Sequence, residues 1–306
     1  MTETAEKQSL SEANISKAIE SWRSKGEYRQ LCGHRLFTID EQSGSADKPV
    51  IVLIHGFPTS SWDWQGIWDG LLSSYRLISL DMLGFGFSDK PNQRNYRIHG
   101  QADLFEALIA ELGVKEYHLL AHDYGDTVAQ ELLARQSEGR GVGQCLSACF
   151  LNGGLFPETH RALLTQKLLL SPLGPLINRF NGFASFKKNF SSVFGPESKP
   201  SEFDLKVFWQ LINEHNGKHL FHNLITYIND RKQHRERWLK PLQESEIPLA
   251  LINGSVDPVS GEHMVARYKE LNCRLDYVKE LPGIGHYPQV EDSEAVLSAY
   301  LEFLHH

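Results

Sequence analysis

The chain has 306 residues, of which 41% are hydrophobic, and this is enough for a large α/β core that carries an inserted element. Its formal net charge of −7 and its pI near 6.1 argue against nucleic acids or anionic membranes as partners. The four cysteines form no CxxC pair and have no metal-ligand spacing, which predicts reduced thiols and a cytoplasmic location.

The N-terminal residues predict a helix that docks on the body of the protein. Residues 1–26 lack the apolar core of a signal peptide. Ser9 and Glu12 have the spacing of a capping box at a helix start. The apolar stripe that follows consists of Ile15, Ile19 and Trp22.

Apolar runs and helical patterns alternate along most of the chain, after an initial hairpin. The run 49–55 is apolar almost throughout, as in a strand that is buried on both faces. This alternation predicts a mostly parallel, eight-stranded sheet with helices on both sides. The predicted strands are 28–31, 36–39, 49–55, 75–80, 117–121, 145–151, 248–254 and 275–278.

The alternation stops after residues 152–154 and resumes at Pro248. The intervening residues have helical patterns punctuated by proline and glycine, which predicts an inserted helical cap. We therefore predict a core of residues 1–154 and 245–306, interrupted by a cap of residues 155–244. The most apolar stretch of this insertion, residues 163–177, is broken by polar residues and prolines, so no membrane span is predicted.

The segment 121–125, Ala-His-Asp-Tyr-Gly, ends a predicted strand and begins a helix. It fits a nucleophile elbow, in which a tight turn between small residues presents the nucleophile, here Asp123 in place of serine. An aspartate that only caps the following helix is the plain alternative.

Three further segments follow predicted strands at the carboxyl edge of the sheet. The segment 55–58, His-Gly-Phe-Pro, is where an α/β-hydrolase supplies an oxyanion-hole N–H, which would belong to Phe57. Asp257 follows the strand after the insertion, and His286 follows the last strand. The order nucleophile, acid, histidine is that of the α/β-hydrolases, so we predict a triad of Asp123, Asp257 and His286.

Several longer segments resemble the mesoderm-specific transcript family, in the epoxide hydrolase and haloalkane dehalogenase branch of the α/β-hydrolases. The segments that carry the resemblance are 55–62, 81–91, 122–126 and 152–160, with 194–196, 227–231 and 286–289 further on. The resemblance implies the α/β-hydrolase fold and a small-molecule substrate, an apolar epoxide or haloalkane.

An aspartate nucleophile indicates cleavage at a saturated carbon. A carboxylate attacks such a carbon without prior deprotonation, and the resulting alkyl ester is open to hydrolysis. His286 would activate water, Asp257 would orient the ring, and the backbone N–H groups of Phe57 and Tyr124 would hold the oxyanion. A hydrolase-fold binding protein without turnover is the alternative from another class.

The leaving-group donor decides between the two reactions. By resemblance, haloalkane dehalogenases have a tryptophan after the nucleophile where this chain has Tyr124, and epoxide hydrolases have two cap tyrosines. The predicted cap contains one tyrosine, Tyr227, for which a plain core position is equally compatible. Trp209, His160 or His222 are candidates for the missing partner. Epoxide hydrolysis is preferred, with dehalogenation second.

Other signals predict no cofactor and no metal. His215, His219 and His222 have helical spacing, but Gly217 interrupts the helix and no carboxylate completes a metal shell. The charged run 231–237 is predicted to be a solvated helix face. Asp126 is predicted to interact favourably with a helix dipole, and Glu158 is a reserve candidate for the triad acid.

Overall fold

The computed structural model describes residues 3–44, 47–92, 96–161, 163–179 and 182–305. Within them an eight-stranded sheet has the order β1-β2-β4-β3-β5-β6-β7-β8, antiparallel where β2 pairs with β1 and β4 and parallel elsewhere. The strands are β1 Gly26–Leu31, β2 His34–Glu41, β3 Val50–Ile54, β4 Arg76–Leu80, β5 Glu116–His122, β6 Gln144–Leu151, β7 Leu249–Gly254 and β8 Tyr277–Leu281. The predicted mostly parallel eight-stranded sheet is confirmed.

Helices cover both faces of the sheet and fill the chain between β6 and β7. Those outside the insertion are α1 Glu3–Arg23, α2 Gln65–Leu72, α3 Ile98–Glu111, α4 Tyr124–Ser137, α12 Glu262–Glu270, α13 Pro288–Glu291 and α14 Ser293–Leu304. Between β6 and β7 lie α5 Leu164–Leu170, α6 Gly174–Arg179, α7 Phe183–Ser191, α8 Glu202–Asn213, α9 Phe221–Leu224, α10 Tyr227–Gln233 and α11 Arg235–Gln243. Two 3-10 helices, Ser61–Trp64 and Glu214–Leu220, precede α2 and α9.

Strand β3 is apolar throughout because it contributes to two separate cores. In β3, Val52 and Ile54 pack on one side of the sheet, with α3 and α4, while Ile51 and Leu53 pack on the other, with α2 and α14. Successive side chains of a strand point to opposite faces, so a strand that is covered on both faces, as β3 is, is mostly apolar.

The N-terminal helix is longer than predicted. It begins at Glu3, so Ser9 lies inside α1 and the predicted capping box is wrong. The predicted apolar stripe is confirmed, because Ile15, Ile19 and Trp22 are buried. The Trp22 indole also donates a hydrogen bond to Ser61 Oγ at 3.1 Å.

The helices between β6 and β7 are fastened to the rest of the protein by buried polar contacts. Asp230 of α10 accepts hydrogen bonds from Arg97 and from the backbone N–H of Ile98, the first residue of α3. The ammonium group of Lys90 donates to the carbonyl oxygen of Glu214 at 2.7 Å. Burial lowers the pKa of Lys90 to about 8. These contacts hold the inserted helices against the carboxyl edge of the sheet.

In the described part of the chain, no helix combines the length and the apolar composition needed to cross a bilayer.

Candidate active site

Asp123 lies at the turn between β5 and α4, in a backbone conformation that is rare for a residue with a side chain, with φ 46° and ψ −104°. The turn is tight because the helix starts directly against β3. A Cβ atom added to Gly125 would lie 2.3 Å from the carbonyl oxygen of Ile54. Glycine is therefore needed at position 125, and the elbow presents Asp123 at the carboxyl edge of the sheet.

His286 lies between two carboxylates. Its Nδ1 is 2.7 Å from Oδ2 of Asp257, and its Nε2 is 3.9 Å from Oδ1 of Asp123. Burial disfavours a charged imidazole, but Asp257 and then Asp123 outweigh it and raise the pKa of His286 to about 9. The ring is thus an imidazolium at neutral pH.

Asp257 is fixed by donors from two loops. Its carboxylate accepts hydrogen bonds from the Asn152 amide at 3.0 Å, from the backbone N–H of Val259 at 2.7 Å, and from the N–H and hydroxyl of Ser260. Burial would raise the pKa of Asp257, but the adjacent His286 and these donors lower it below the usual value. An ionised Asp257 can therefore orient His286 and stabilise its charge.

The second carboxylate oxygen of Asp123 has a backbone donor. The N–H of Phe57 donates to Asp123 Oδ2 at 3.2 Å, and the carbonyl of Phe57 accepts from the Tyr287 hydroxyl at 2.9 Å. Tyr124 is the first residue of α4, so the helix does not use its backbone N–H. The predicted oxyanion donors thus flank the nucleophile from two loops.

A cavity of about 110 Å³ opens onto Asp123 and His286. Its wall is mostly apolar and aromatic and is supplied mainly by α5, α7 and the segment after β3. Besides the catalytic candidates and Tyr287, whose hydroxyl donates to the Phe57 carbonyl oxygen, the polar side chains of the wall are Thr165, Gln166 and Asn189. These three were missed in the sequence because nothing in their spacing distinguishes them from other polar residues of the insertion.

None of the predicted leaving-group residues contributes to the wall of this cavity. Tyr227 is fully buried, with its ring centroid 4.8 Å from that of Tyr124 and 6.1 Å from that of Phe57. Trp209 packs on Phe186, one layer behind the wall.

His160 is also close to the nucleophile without reaching the cavity. Its Nδ1 is 3.5 Å from Nη1 of Arg231. Burial and then the charge of Arg231 lower the pKa of His160 to about 4, so the ring is neutral at physiological pH. His222, the other candidate, is hydrogen-bonded to Asn178 through Nδ1.

Arg231 was predicted to be on a solvated face, and this is wrong, because only 1% of it is exposed. Its Nε donates to Thr127 Oγ1 at 2.7 Å and its Nη2 to the carbonyl oxygen of Asp123 at 2.9 Å. Nη2 is also 3.8 Å from Asp123 Oδ1. The spacing offered a signal, since Arg231 follows Tyr227 by four residues and so shares its buried helix face.

Asp126 is buried close to Asp123, whereas Glu158 is paired with arginines away from the cavity. Asp126 is fully buried beside Gly153, and burial followed by the charge of Asp123 raises its pKa well above the usual value. These surroundings disfavour the charged first-turn carboxylate that was predicted at this position. Glu158 pairs with Arg235 and Arg267, and these bonds, with Arg235 first, lower its pKa to about 2.

Comparison with known proteins identifies the family to which the chain belongs. Residues 49–293 match the family described as alpha/beta hydrolase fold. Mesoderm-specific transcript homolog proteins from Bos taurus and Homo sapiens are 44% and 43% identical over 297 residues, which cover 95% of this chain and 89% of theirs. LipZ of Mycobacterium tuberculosis, which is named as a hydrolase, is 34% identical over 94% of this chain and 99% of its own length.

Solved structures share the fold at lower identity. A haloalkane dehalogenase loop variant from Bradyrhizobium elkanii has a TM-score of 0.77 and 22% identity, covering 92% of this chain and 96% of its own. The epoxide hydrolase CorEH has a TM-score of 0.72 and 17% identity, covering 92% and 98%. The chain therefore belongs to the alpha/beta hydrolase fold family, among the relatives of the mesoderm-specific transcript proteins.

Proposed function

We propose that this α/β hydrolase opens epoxides to diols through an ester between the substrate and Asp123. The observation that carries the proposal is the state of the Asp123 carboxylate. One oxygen is held by the Phe57 N–H, and the other is 3.9 Å from His286 Nε2 and 3.8 Å from Arg231. Within the described residues, only Oδ2 accepts a hydrogen bond. Oδ1 is therefore left available to attack a substrate in the cavity.

In the first step, Oδ1 of Asp123 attacks a saturated carbon, and the carbon–oxygen bond of the epoxide breaks. The leaving oxygen stays attached to the substrate and takes a proton from solvent water, and the hydroxide left behind is neutralised by the His286 imidazolium, which becomes the neutral ring. In the second step, His286 removes a proton from water, and the resulting hydroxide adds to Cγ of the ester. The oxyanion forms on Oδ2, next to the Phe57 N–H, and collapse releases the diol with the original Oδ1.

Alkylation of Asp123 also prepares His286 for the second step. While Asp123 is charged, it contributes to the raised pKa of His286, and a protonated ring cannot accept a proton from water. The ester is neutral, so its formation lowers the pKa of His286 and favours the basic form.

We propose donors from the cavity wall for the leaving oxygen, because Tyr227, Trp209 and His160 are not on that wall. Gln166 uses its side-chain oxygen to accept from the Leu163 N–H at 2.9 Å, and its amide N–H groups form no hydrogen bond to the described residues. Asn189 donates only a long bond of 3.4 Å to Ser185. Both amides can turn toward a leaving group.

Haloalkane hydrolysis remains the second candidate because of these same amides. An amide N–H stabilises a departing halide as well as an alkoxide, and a halide needs no proton.

We further propose that residues 155–244 act as the cap over this site. The cysteines Cys32, Cys145, Cys149 and Cys273 are free, which supports the proposed cytoplasmic location.

The test is mass spectrometry of the intact His286→Ala variant after incubation with epoxides and bromoalkanes. This variant should form the ester but fail to hydrolyse it. An epoxide adds its full mass to Asp123, whereas a bromoalkane adds its alkyl group and releases bromide. The adduct should be absent in Asp123→Asn. No adduct with any compound would favour a binding protein without turnover.

A second experiment checks the ester mechanism independently. After one turnover in ¹⁸O-labelled water, the label should be in the carboxylate of Asp123 and not in the diol. Label in the first-turnover product would instead mean direct attack of water on the substrate.

A further inference from the structure

The outer surface of α5 and α6 carries leucines where a surface helix in water normally carries polar side chains. Leu164, Leu168, Leu173 and Leu176 are all exposed, and Leu164 is 73% exposed. Of the large hydrophobic residues exposed in the described part of the chain, most lie in this short segment. We call these four leucines, together with Lys167, the leucine face.

The opposite side of α5 lines the active-site cavity. Leu163, Thr165, Gln166 and Leu169 contribute to the cavity wall, while Leu164, Lys167 and Leu168 share the outer side of the helix by their spacing. Helix α5 therefore carries leucines on both sides and is the single helix between this part of the cavity and the surroundings. An apolar ligand bound at the leucine face is thus separated from the cavity only by α5.

The charge around this face is opposite in sign to that of the whole chain. No aspartate or glutamate occurs from residue 159 to residue 196, and the charged residues of that stretch are Arg161, Lys167, Arg179, Lys187 and Lys188. The exposed side chain of Lys167 forms no ion pair with the described residues. The local excess of basic residues is concealed by the net charge of −7.

Two acids of the neighbouring elements are already paired, and one of them, Glu202 of α8, forms an ion pair with Lys187 of the basic stretch. Helix α6 packs on α9 and on the 3-10 helix Glu214–Leu220. The acidic residue of that 3-10 helix, Glu214, is paired with Arg23 at 3.3 Å. The same element contributes the basic Lys218. The leucine face is thus part of a stretch of sequence whose charged residues are all basic.

We propose that the leucine face docks on an anionic lipid surface, with the α5 wall of the cavity toward the lipid. Leucines that insert at the headgroup level and lysines that attract anionic headgroups are the two contributions by which interfacial helices bind. A second copy of this chain is a poorer occupant, because a symmetric contact would bring Lys167 against its equivalent. The inference concerns binding and does not depend on turnover.

The test is flotation of the full chain with vesicles of phosphatidylcholine alone or of phosphatidylcholine with an equal amount of phosphatidylglycerol. Wild type should bind the anionic vesicles at least about tenfold more tightly, and salt should weaken the binding. Leu168→Ser combined with Leu176→Ser should reduce binding by about tenfold or more, since two apolar side chains no longer insert. Lys167→Gln should reduce it by about fivefold on anionic vesicles only.

The matched control is Phe203→Ser, which removes an exposed apolar side chain of α8 outside the leucine face. It should bind as wild type does, and all variants should keep the wild-type Tm because the replaced side chains are exposed. Failure of wild type to bind anionic vesicles overturns the proposal. So does a leucine double variant that binds normally, or a concentration-dependent dimer in sedimentation velocity that this double variant abolishes.

Discussion

At the level of single residues, the ionisation of His286 is tied to that of Asp123. Asp257 and then Asp123 raise the pKa of His286 to about 9, against the effect of burial. Asp123→Asn removes one of the two carboxylate charges and should therefore lower this pKa. An NMR titration of the His286 ring in both proteins measures the change. Asp276→Asn, at a surface carboxylate paired with Arg274, is the control and should leave the titration unchanged. An equal or higher pKa in Asp123→Asn would contradict the proposed electrostatic coupling.

A second prediction concerns the buried guanidinium of Arg231. Arg231→Met leaves the Asp123 carbonyl and the Thr127 hydroxyl without their donor and removes a positive charge close to Asp123. We expect a loss of about 3–5 kcal/mol in the free energy of unfolding, measured by denaturant titration. Arg140→Met is the control, since Arg140 is exposed and pairs only with Glu138, and it should cost less than about 1 kcal/mol. Similar losses in the two variants would mean that burial of Arg231 has no special role.

At the level of elements, the start of α4 depends on one glycine. Gly125→Ala places a Cβ atom 2.3 Å from the Ile54 carbonyl, so α4 or β3 must shift. We expect a loss of about 1–3 kcal/mol or more in the free energy of unfolding, from a differential scanning measurement. Gly100→Ala in α3 is the matched control, because a Cβ atom there meets nothing within 4 Å. It should raise stability by about 0.5–1 kcal/mol, since alanine favours a helix interior over glycine.

The elements that the sequence predicts well are those in which a single physical requirement, such as burial or a tight turn, decides the residue type at every position. Strand β3 is apolar because it is covered on both faces, and the turn at Asp123 requires small neighbours, so both left clear patterns in the sequence. The last strand was placed two residues too early at its start. Asp276 there bends the chain by accepting from the Leu249 N–H at 2.9 Å, a contact between distant segments that no local pattern reveals.

The whole molecule depends on contacts between the inserted helices and the core. Asp230 of α10 caps the first N–H of α3 from a distant part of the chain. Asp230→Ala should cost about 0.5–2 kcal/mol of unfolding free energy, as loss of a helix cap does. It should also speed amide hydrogen exchange in both α3 and α10. Glu236→Ala, at an exposed residue within the insertion, should change neither. Faster exchange in α3 alone would mean that Asp230 does not hold the insertion.

The insertion is also where sequence reasoning had least success. Arg231 was taken for a solvated residue because charged residues follow it, yet its burial depends on Asp123 and Thr127, more than a hundred positions away. The polar residues of the cavity wall, Thr165, Gln166 and Asn189, likewise owe their position to the packing of α5 and α7. Such placements are set by tertiary contacts, and local spacing encodes at most the shared helix face of Tyr227 and Arg231.

The bond from Arg231 to the backbone of Asp123 restricts how the protein can admit a guest molecule. A hinged lid that carried α10 away would pull on Asp123, the proposed nucleophile, and would disturb its alignment each time the lid opened. If α10 stays in place, we expect molecules to pass a fixed rim, with side chains of α5 and α7 turning aside. Selectivity is then set by the width of that fixed passage, so substitutions at its rim should change which molecules react while leaving the attacking carboxylate undisturbed.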